Sequence, residues 1–165
     1  MDKIIEELIS VCSREVDAFN QLLKTLHQKQ RAIVEGEIER LKEHVQTENK
    51  IIDQTKMLEG ERIGHTQELA KALSLENLNP RLGEIIDLVE EKYAQRLTEQ
   101  RNLLKSIVER IRNLNQSNQF LLNYSLQFID NSMRMLFNGQ ENTLYQQDGK
   151  VREESTRPKI LDHLI

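Results

Sequence analysis

The residue types that most often carry out chemistry in proteins are few in this sequence and lie far apart. It contains one cysteine, Cys12, whose apolar neighbours at helical spacing predict a buried side chain and not a reactive thiol. There is no glycine-rich phosphate loop, and Asp148–Gly149 lacks the other ligands of an EF-hand. The histidines are scattered, with no HExxH motif and no carboxylate at ligand spacing: His27, His44, His65 and His163. We therefore predict no enzyme, no metal site and no cofactor.

The chemistry that the sequence does offer is apolar binding, and it is concentrated between Asn113 and Phe137. Three of the four phenylalanines, two of the four methionines and one of the three tyrosines fall in this stretch. Its only charged residues are Asp130 and Arg134, although 30% of the whole chain is Asp, Glu, Lys or Arg. We call Asn113–Phe137 the apolar segment, and its function depends on what covers it.

Composition limits the class of protein to which this segment belongs. A length of 165 residues predicts one domain. With 38% apolar residues and no tryptophan, the chain suits long helices that each bury one stripe better than a layered globular core. A net charge of -4 argues against a nucleic-acid-binding protein. No run is long enough to span a membrane and no signal-peptide pattern opens the chain, so we predict a cytoplasmic protein without direct membrane insertion.

Apolar residues recur at steps of three and four along most of the chain, which predicts an all-α fold. Gly36 is placed to end the first helix in a left-handed cap, and Asn79 followed by Pro80 is a start signal for the last. The predicted helices cover about 3–34, 37–73 and 80–138. Because the two connections are short, neighbouring helices should be antiparallel. We therefore predict an elongated antiparallel three-helix bundle, or coiled coil, with a very long third helix.

The third predicted helix carries a heptad seam with two polar residues in it, Asn118 and Ser125. A polar residue in such a seam usually costs stability and fixes the register of the helices. Whether Asn118 does only this or also binds a partner is left open. The seam consists of Leu104, Ile107, Ile111, Leu114, Asn118, Leu121, Ser125 and Phe128.

The predicted lengths leave the end of the third helix without cover. At about 1.5 Å per residue, this helix should extend past the other two by roughly 30 Å, which exposes the C-terminal part of the apolar segment. On a helical wheel Phe120 and Tyr124 point away from the seam. Three partners could cover these side chains: a second copy of the chain, its own tail or a foreign protein.

The last part of the chain, residues 139–165, is polar and has no apolar period, which predicts a flexible tail. Two short apolar spots lie in it, one at Tyr145 and one in the terminal KILDHLI. The predicted domain organisation is therefore a three-helix rod over residues 1–138 followed by the tail.

Two motifs near the C-terminus resemble the FlgN family of flagellar export chaperones. The first is IRNLNQSNQFLL (Ile111–Leu122), which is similar to the family's Asn-rich L-x-x-x-N-x-x-L-L segment in a long last helix. The second is TLYQQDG (Thr143–Gly149), which is similar to the family's Thr-x-Tyr-x-x-x-Gly motif in a flexible tail. The order and length of the three predicted helices also fit the family. The terminal KILDHLI departs from it, because the family's tails are often basic and polar.

The resemblance implies a set of partners and of site residues. FlgN proteins hold hook-associated proteins of the FlgK and FlgL type in the cytosol and deliver them to the type III export gate. Their tail tyrosine is associated with docking on the cytosolic part of FlhA, which points to Tyr145, with Gly149, as the docking residues here. The family's cargo surface lies on the end of the last helix and the tail. We expect it to comprise Asn118, Phe120, Leu121, Tyr124, Phe128, Met133 and Phe137.

Two hypotheses about function follow. In the first, the chain is a cytosolic chaperone in type III secretion and flagellum assembly that caps its cargo without catalysis. In the second, it is a structural coiled-coil protein whose apolar third helix is a permanent self-association seam. A permanent seam is buried between copies of the chain, whereas a chaperone surface is exposed until cargo arrives.

Overall fold

The computed structural model describes residues 1–138, which form four α-helices and no strand. These helices are α1 (Asp2–Glu35), α2 (Ile38–Ala72), α3 (Leu82–Ile86) and α4 (Glu91–Asn138). The all-α prediction is thus confirmed for the described residues, and the ends of the first two helices lie one residue from the predicted ends. The chain divides into two compact units, Met1–Tyr124 and Ser125–Ile165. The predicted tail, residues 139–165, lies outside the described residues.

The turn between α1 and α2 is closed by Gly36, as predicted. Gly36 adopts the left-handed conformation with φ 70°, which glycine reaches without the steric cost of a Cβ atom. The backbone N–H of Glu37 donates to the carbonyl of Ala32 at 2.9 Å, and the N–H of Gly36 donates to that of Ile33 at 3.3 Å. This pair of hydrogen bonds is a Schellman motif, and it fixes the end of α1.

Ion pairs and hydrogen bonds between helices show their directions within the first unit. Lys29, near the end of α1, pairs with Glu48 near the start of α2 at 2.6 Å, so these two helices are antiparallel. Arg96, near the start of α4, donates to Glu6 near the start of α1 at 2.6 Å. Gln30 near the end of α1 donates to Ser117 further along α4 at 3.0 Å. In this unit α4 therefore runs parallel to α1.

Two apolar clusters form the core of the first unit, and α1, α2 and α4 contribute to both. Each helix buries one stripe, as expected for long helices in a chain that is poor in apolar residues. One cluster lies near the start of α1 and consists of Ile5, Leu8, Ile9, Cys12, Leu69, Ile85, Tyr93 and Leu97. The other consists of Leu22, Leu23, Leu26, Ile51 and Leu114.

The prediction of one helix over residues 80–138 is wrong at its start. A short helix, α3, is separated from α4 by a turn, so the described chain has four helices where three were predicted. Ile85 of α3 is fully buried in the first cluster, and the N–H of Leu88 closes the turn on its carbonyl at 3.1 Å. The bend brings Ile86 and Val89 against the same cluster. A straight helix would expose some of these side chains, so burial overrides helix continuity here.

Asn79 does not cap a helix, because its side chain has another partner. Its Oδ1 accepts a hydrogen bond from Nε2 of Gln67 on α2 at 2.5 Å. Its backbone N–H donates to Oδ1 of Asn77 at 3.0 Å. Pro80 is buried outside any helix, and α3 begins only at Leu82. Asn79 and Pro80 therefore lie in the connection between α2 and α3, where Asn79 is bonded to α2, and not at the start of a helix.

Candidate binding surface

Asn118 lies in the core of the first unit and not on its surface. Its side chain is 1% exposed, and its Nδ2 donates to the backbone carbonyl of Leu26 on α1 at 3.0 Å. Its Oδ1 has no hydrogen-bond partner among the described residues. A partner would reach this amide only if α1 and α4 separated, so we remove Asn118 from the predicted cargo contacts. Its geometry is that of a polar seam residue that aligns two helices.

Immediately after Asn118, aromatic side chains of α4 point into solvent. Phe120 is 69% exposed and Tyr124 is 62% exposed, which agrees with the helical wheel that turns them away from the seam. Leu121, another predicted contact, and Leu122 are half-buried. Exposed single apolar residues are common in proteins, but adjacent large aromatics on one helix are typical of an interaction surface.

The described part of the second unit, residues 125–138, is the end of α4, and it also exposes large apolar side chains. The hydroxyl of Ser132 donates to the backbone carbonyl of Phe128 at 2.8 Å, so this polar side chain bonds within the helix. The exposed set includes the predicted contacts Phe128, Met133 and Phe137, together with Leu126, Ile129, Met135 and Leu136. Methionines and aromatics adapt readily to different apolar partners.

The two charged residues of the apolar segment neutralise each other. Nη2 of Arg134 lies 2.9 Å from Oδ2 of Asp130, one helical turn away. Because the rest of the segment is uncharged, a partner meets neither an excess charge nor an unpaired one there. Its recognition therefore depends on apolar contact and on uncharged hydrogen-bonding groups.

Two buried side chains of the first unit that could in principle react, Cys12 and Glu15, lie in surroundings that favour a structural role. Burial, with a smaller contribution from the nearby Glu15, raises the pKa of the Cys12 thiol to about 12, so the thiolate that a nucleophile needs is scarce. Glu15 is itself buried, and both of its carboxylate oxygens accept from Nε of Arg62 on α2, at 3.0 and 3.1 Å. Burial raises the pKa of Glu15, Arg62 lowers it and the nearby Glu59 raises it, so that the pKa lies above its ordinary value.

Neither a metal site nor a membrane span is present among the described residues. No group of three or more His, Cys, Asp or Glu side chains is placed to hold a metal ion in residues 1–138. No helix in the same range is both long enough and apolar enough to cross a bilayer. The predicted docking residues, Tyr145 and Gly149, lie outside the described residues.

Val34 is an exposed apolar residue that sequence reasoning missed. It lies in the last turn of α1 and is 69% exposed, whereas its neighbours Ala32 and Ile33 are buried. The sequence signal that could have identified it as exposed is its position beside the apolar stripe, two residues before Gly36. Helix periodicity alone assigns such a residue to the edge of the core.

Comparison with known protein families identifies a family for this chain. A family model described as FlgN protein matches residues 1–153. The chain belongs to the FlgN family. No curated protein and no solved structure matches it. As a member of the FlgN family, it belongs to a family of flagellar export chaperones, and the exposed apolar surface of α4 suits a protein that binds other chains.

Proposed function

We propose that this FlgN-family chain is a cytoplasmic chaperone that caps hook-associated proteins of the FlgK and FlgL type before their secretion. The observation that carries the proposal is the exposure of Phe120 and Tyr124 on α4, within a segment without unpaired charge. Family membership supports an export chaperone, and the resemblance of the two motifs suggests the identity of the cargo. The chain acts by binding, without a covalent step.

Capping works by replacing the helical neighbours that a cargo segment lacks before assembly. The resemblance to the FlgN family implies that the bound cargo segments are the C-terminal helical segments of hook-associated proteins, which otherwise associate with each other. An apolar face of α4 offers such a helix the burial it would otherwise gain from another cargo molecule, at roughly 25 cal/mol per Å² removed from water. In the first unit, Phe120, Leu121 and Tyr124 are the residues proposed to offer this burial. In the second unit, the proposed contacts are Phe128, Met133 and Phe137, which are exposed in its described part.

Delivery to the export gate is assigned to a different part of the chain. We propose that Tyr145, with Gly149, docks on the cytosolic part of FlhA, as the resemblance to the family's tail motif suggests. A tyrosine ring has an apolar body and a polar tip, which suits a partly polar partner pocket. Tyr145→Ala should then reduce binding to the gate in a pull-down and leave binding to cargo unchanged. Loss of both interactions would make the tail part of the cargo site.

The capping proposal is tested with the double variant Phe120→Ser/Tyr124→Ser. We expect its affinity for the C-terminal helical segment of a hook-associated protein, measured by calorimetric titration, to fall by about a hundredfold, because buried aromatics dominate interface energies. Met57→Ser is the control, since Met57 on α2 is 70% exposed and lies outside the proposed surface. An unchanged affinity in the double variant, or a fall in the control of the same size, contradicts the proposal.

A permanent self-association seam remains the second candidate. The exposed apolar side chains of the second unit favour it, because a second copy would bury Phe128, Met133 and Phe137 equally well. Light scattering on the purified full chain separates the two candidates. A dimer that persists on dilution and does not dissociate when the cargo segment is added favours the seam. A monomer that forms a complex with cargo favours the chaperone.

A further inference from the structure

The end of α1 lies beside the part of α4 that carries the exposed aromatics of the first unit. Two hydrogen bonds show which residues of α1 and α4 lie side by side. Gln30 donates to Ser117 at 3.0 Å, and Asn118 donates to the carbonyl of Leu26 at 3.0 Å. Because the two helices are parallel, residues one turn after this bonded pair are also side by side. Val34 follows Gln30 by one turn, and Leu121 follows Ser117 by one turn. Val34 is therefore level with the start of the exposed region of α4.

Helical spacing places Val34 and Tyr124 along the same edge of this helix pair. Val34 follows Gln30 by four residues, and Tyr124 follows Ser117 by seven, so each lies on the same face as the residue that bonds across the pair. Long side chains on a helix lean towards its N-terminus and cover the preceding turn. We therefore expect the ring of Tyr124 to lie over the turn that is level with Val34. Phe120 precedes Tyr124 by four residues and shares its face of α4. We call Val34, Phe120 and Tyr124 the ledge.

The ledge is firmly supported on both helices. The two hydrogen bonds of the Gly36 turn hold the last turn of α1, and Ile33 beside Val34 is buried. On α4, Asn118 is buried and bonded to α1 just before Phe120. A surface that is already ordered loses little conformational entropy when it binds.

Charge around the ledge is low and balanced. On α4 no charged residue occurs between Arg112 and Asp130. On α1 the residues flanking Val34 include one cation, Arg31, and one anion, Glu35. A partner with a charged contact face would lose hydration here without gaining an opposite charge. The matching partner is an amphipathic helix whose contact face is apolar, with uncharged polar residues around it.

We infer that α1 forms one side of the binding surface, and that Val34 packs with Phe120 and Tyr124 against a single amphipathic helix whose contact face carries no charge. This inference rests on the proposed function, since the helix it receives is the cargo's. It adds α1 to a surface whose predicted contact residues all lie on the last helix. It also makes binding insensitive to salt.

Tryptophan fluorescence tests the location directly, because the chain contains no tryptophan. Val34→Trp places a reporter on the ledge, and Met57→Trp places one at a residue of equal exposure on α2. On addition of a cargo C-terminal segment without tryptophan, we expect the emission of the first variant to shift to shorter wavelength and that of the second to stay unchanged. Equal shifts in both variants, or no shift in Val34→Trp while cargo binds, would overturn the inference.

Titration of Val34→Ser, with Met57→Ser as control, measures the energetic contribution of the ledge. We expect the cargo affinity of Val34→Ser to fall by roughly five- to tenfold, and the wild-type affinity to change less than about twofold between low and high salt.

Loss of affinity in Phe120→Ser/Tyr124→Ser but not in Val34→Ser overturns the inference and leaves the proposed function standing. Failure of the wild type to bind cargo contradicts the proposed function itself. A shift in Val34→Trp emission that grows with chaperone concentration, without cargo, assigns the ledge to a second copy.

Discussion

The same kinds of side chain serve opposite purposes in the two halves of α4. Up to Asn118, the large apolar residues on its inner face, such as Leu97 and Leu114, are buried against α1 and α2, and Leu103 and Val108 on its outer face are exposed. From Phe120 onwards its large aromatics are exposed, in the first unit and in the described part of the second. Apolar area that is buried within the chain stabilises the fold, whereas area left in water is available for a partner.

This difference separates the residues that hold the fold from those that we propose to bind cargo. A substitution in the first half should change the free energy of unfolding, and one in the second half should change the affinity for cargo. Asn118 stands at the boundary, as the last fully buried residue of α4 before the exposed aromatics. Each prediction below tests how sharply the two halves differ.

The largest expected effect is on stability, in the buried half. Leu97 is fully buried in the first cluster, so Leu97→Ala should lower the free energy of unfolding by about 3 kcal/mol through lost burial and a residual cavity. Phe128→Ala, at an exposed residue of the same helix, should lower it by less than about 0.5 kcal/mol. Urea unfolding followed by circular dichroism measures both changes. Similar losses in the two variants would show that Phe128 is covered in solution.

A smaller effect is expected at the boundary itself. Asn118→Leu should raise the free energy of unfolding by about 1 kcal/mol, because it replaces a buried amide whose Oδ1 is unpaired with an apolar side chain. The same variant should bind cargo within about twofold of the wild type. Thermal unfolding and calorimetric titration give the two numbers. A drop in affinity without a change in stability would return Asn118 to the cargo surface.

Much of the fold was predictable because its signals are local. The ends of α1 and α2 follow from a continuous apolar period and from Gly36, whose left-handed conformation the structure confirms. The exposure of Phe120 and Tyr124 follows from their angle on the helix relative to the seam. These features depend on the spacing of residues along one helix, which the sequence states directly.

The features that were missed depend on contacts between distant residues. The break between α3 and α4 contains neither Gly nor Pro, and it exists because Ile85 is buried against α1 and α2. The side chain of Asn79 bonds to Gln67 of α2 and so does not begin a helix. Val34 belongs to the ledge only through the level at which α1 meets α4. No local pattern reports any of these contacts.

The buried pair of Glu15 and Arg62 differs from these features, because the sequence contains a local signal for it. Glu15 occupies the same stripe of α1 as Leu8 and Leu22, seven residues away on either side, so a charge interrupts an apolar period. A charge at such a position usually has a partner on the facing helix. Arg62 fills that role on α2, and the pair helps to align the hairpin.

The smallest expected effect is a dependence of stability on pH, and it arises in the buried part of the first unit, at Glu15 of α1. Burial, together with the nearby Glu59, raises the pKa of Glu15 above its ordinary value, and Arg62 offsets this only in part. The folded chain therefore binds a proton at Glu15 more tightly than the unfolded chain does. The contribution of Glu15 to stability is then fully present below its unfolded pKa and is lost as the pH rises through its folded pKa.

Glu15→Gln isolates this contribution, because glutamine has nearly the same shape and does not titrate. The free energy of unfolding of the wild type minus that of Glu15→Gln should increase as the pH falls from neutrality towards the ordinary pKa of a glutamate. Titration of all other groups cancels in the difference, provided that the two proteins unfold in the same way. Matched urea titrations at several pH values measure it. A difference that decreases as the pH falls would mean that Arg62 outweighs burial, and the first unit would then be held together by a favourable ion pair as well as by apolar contact.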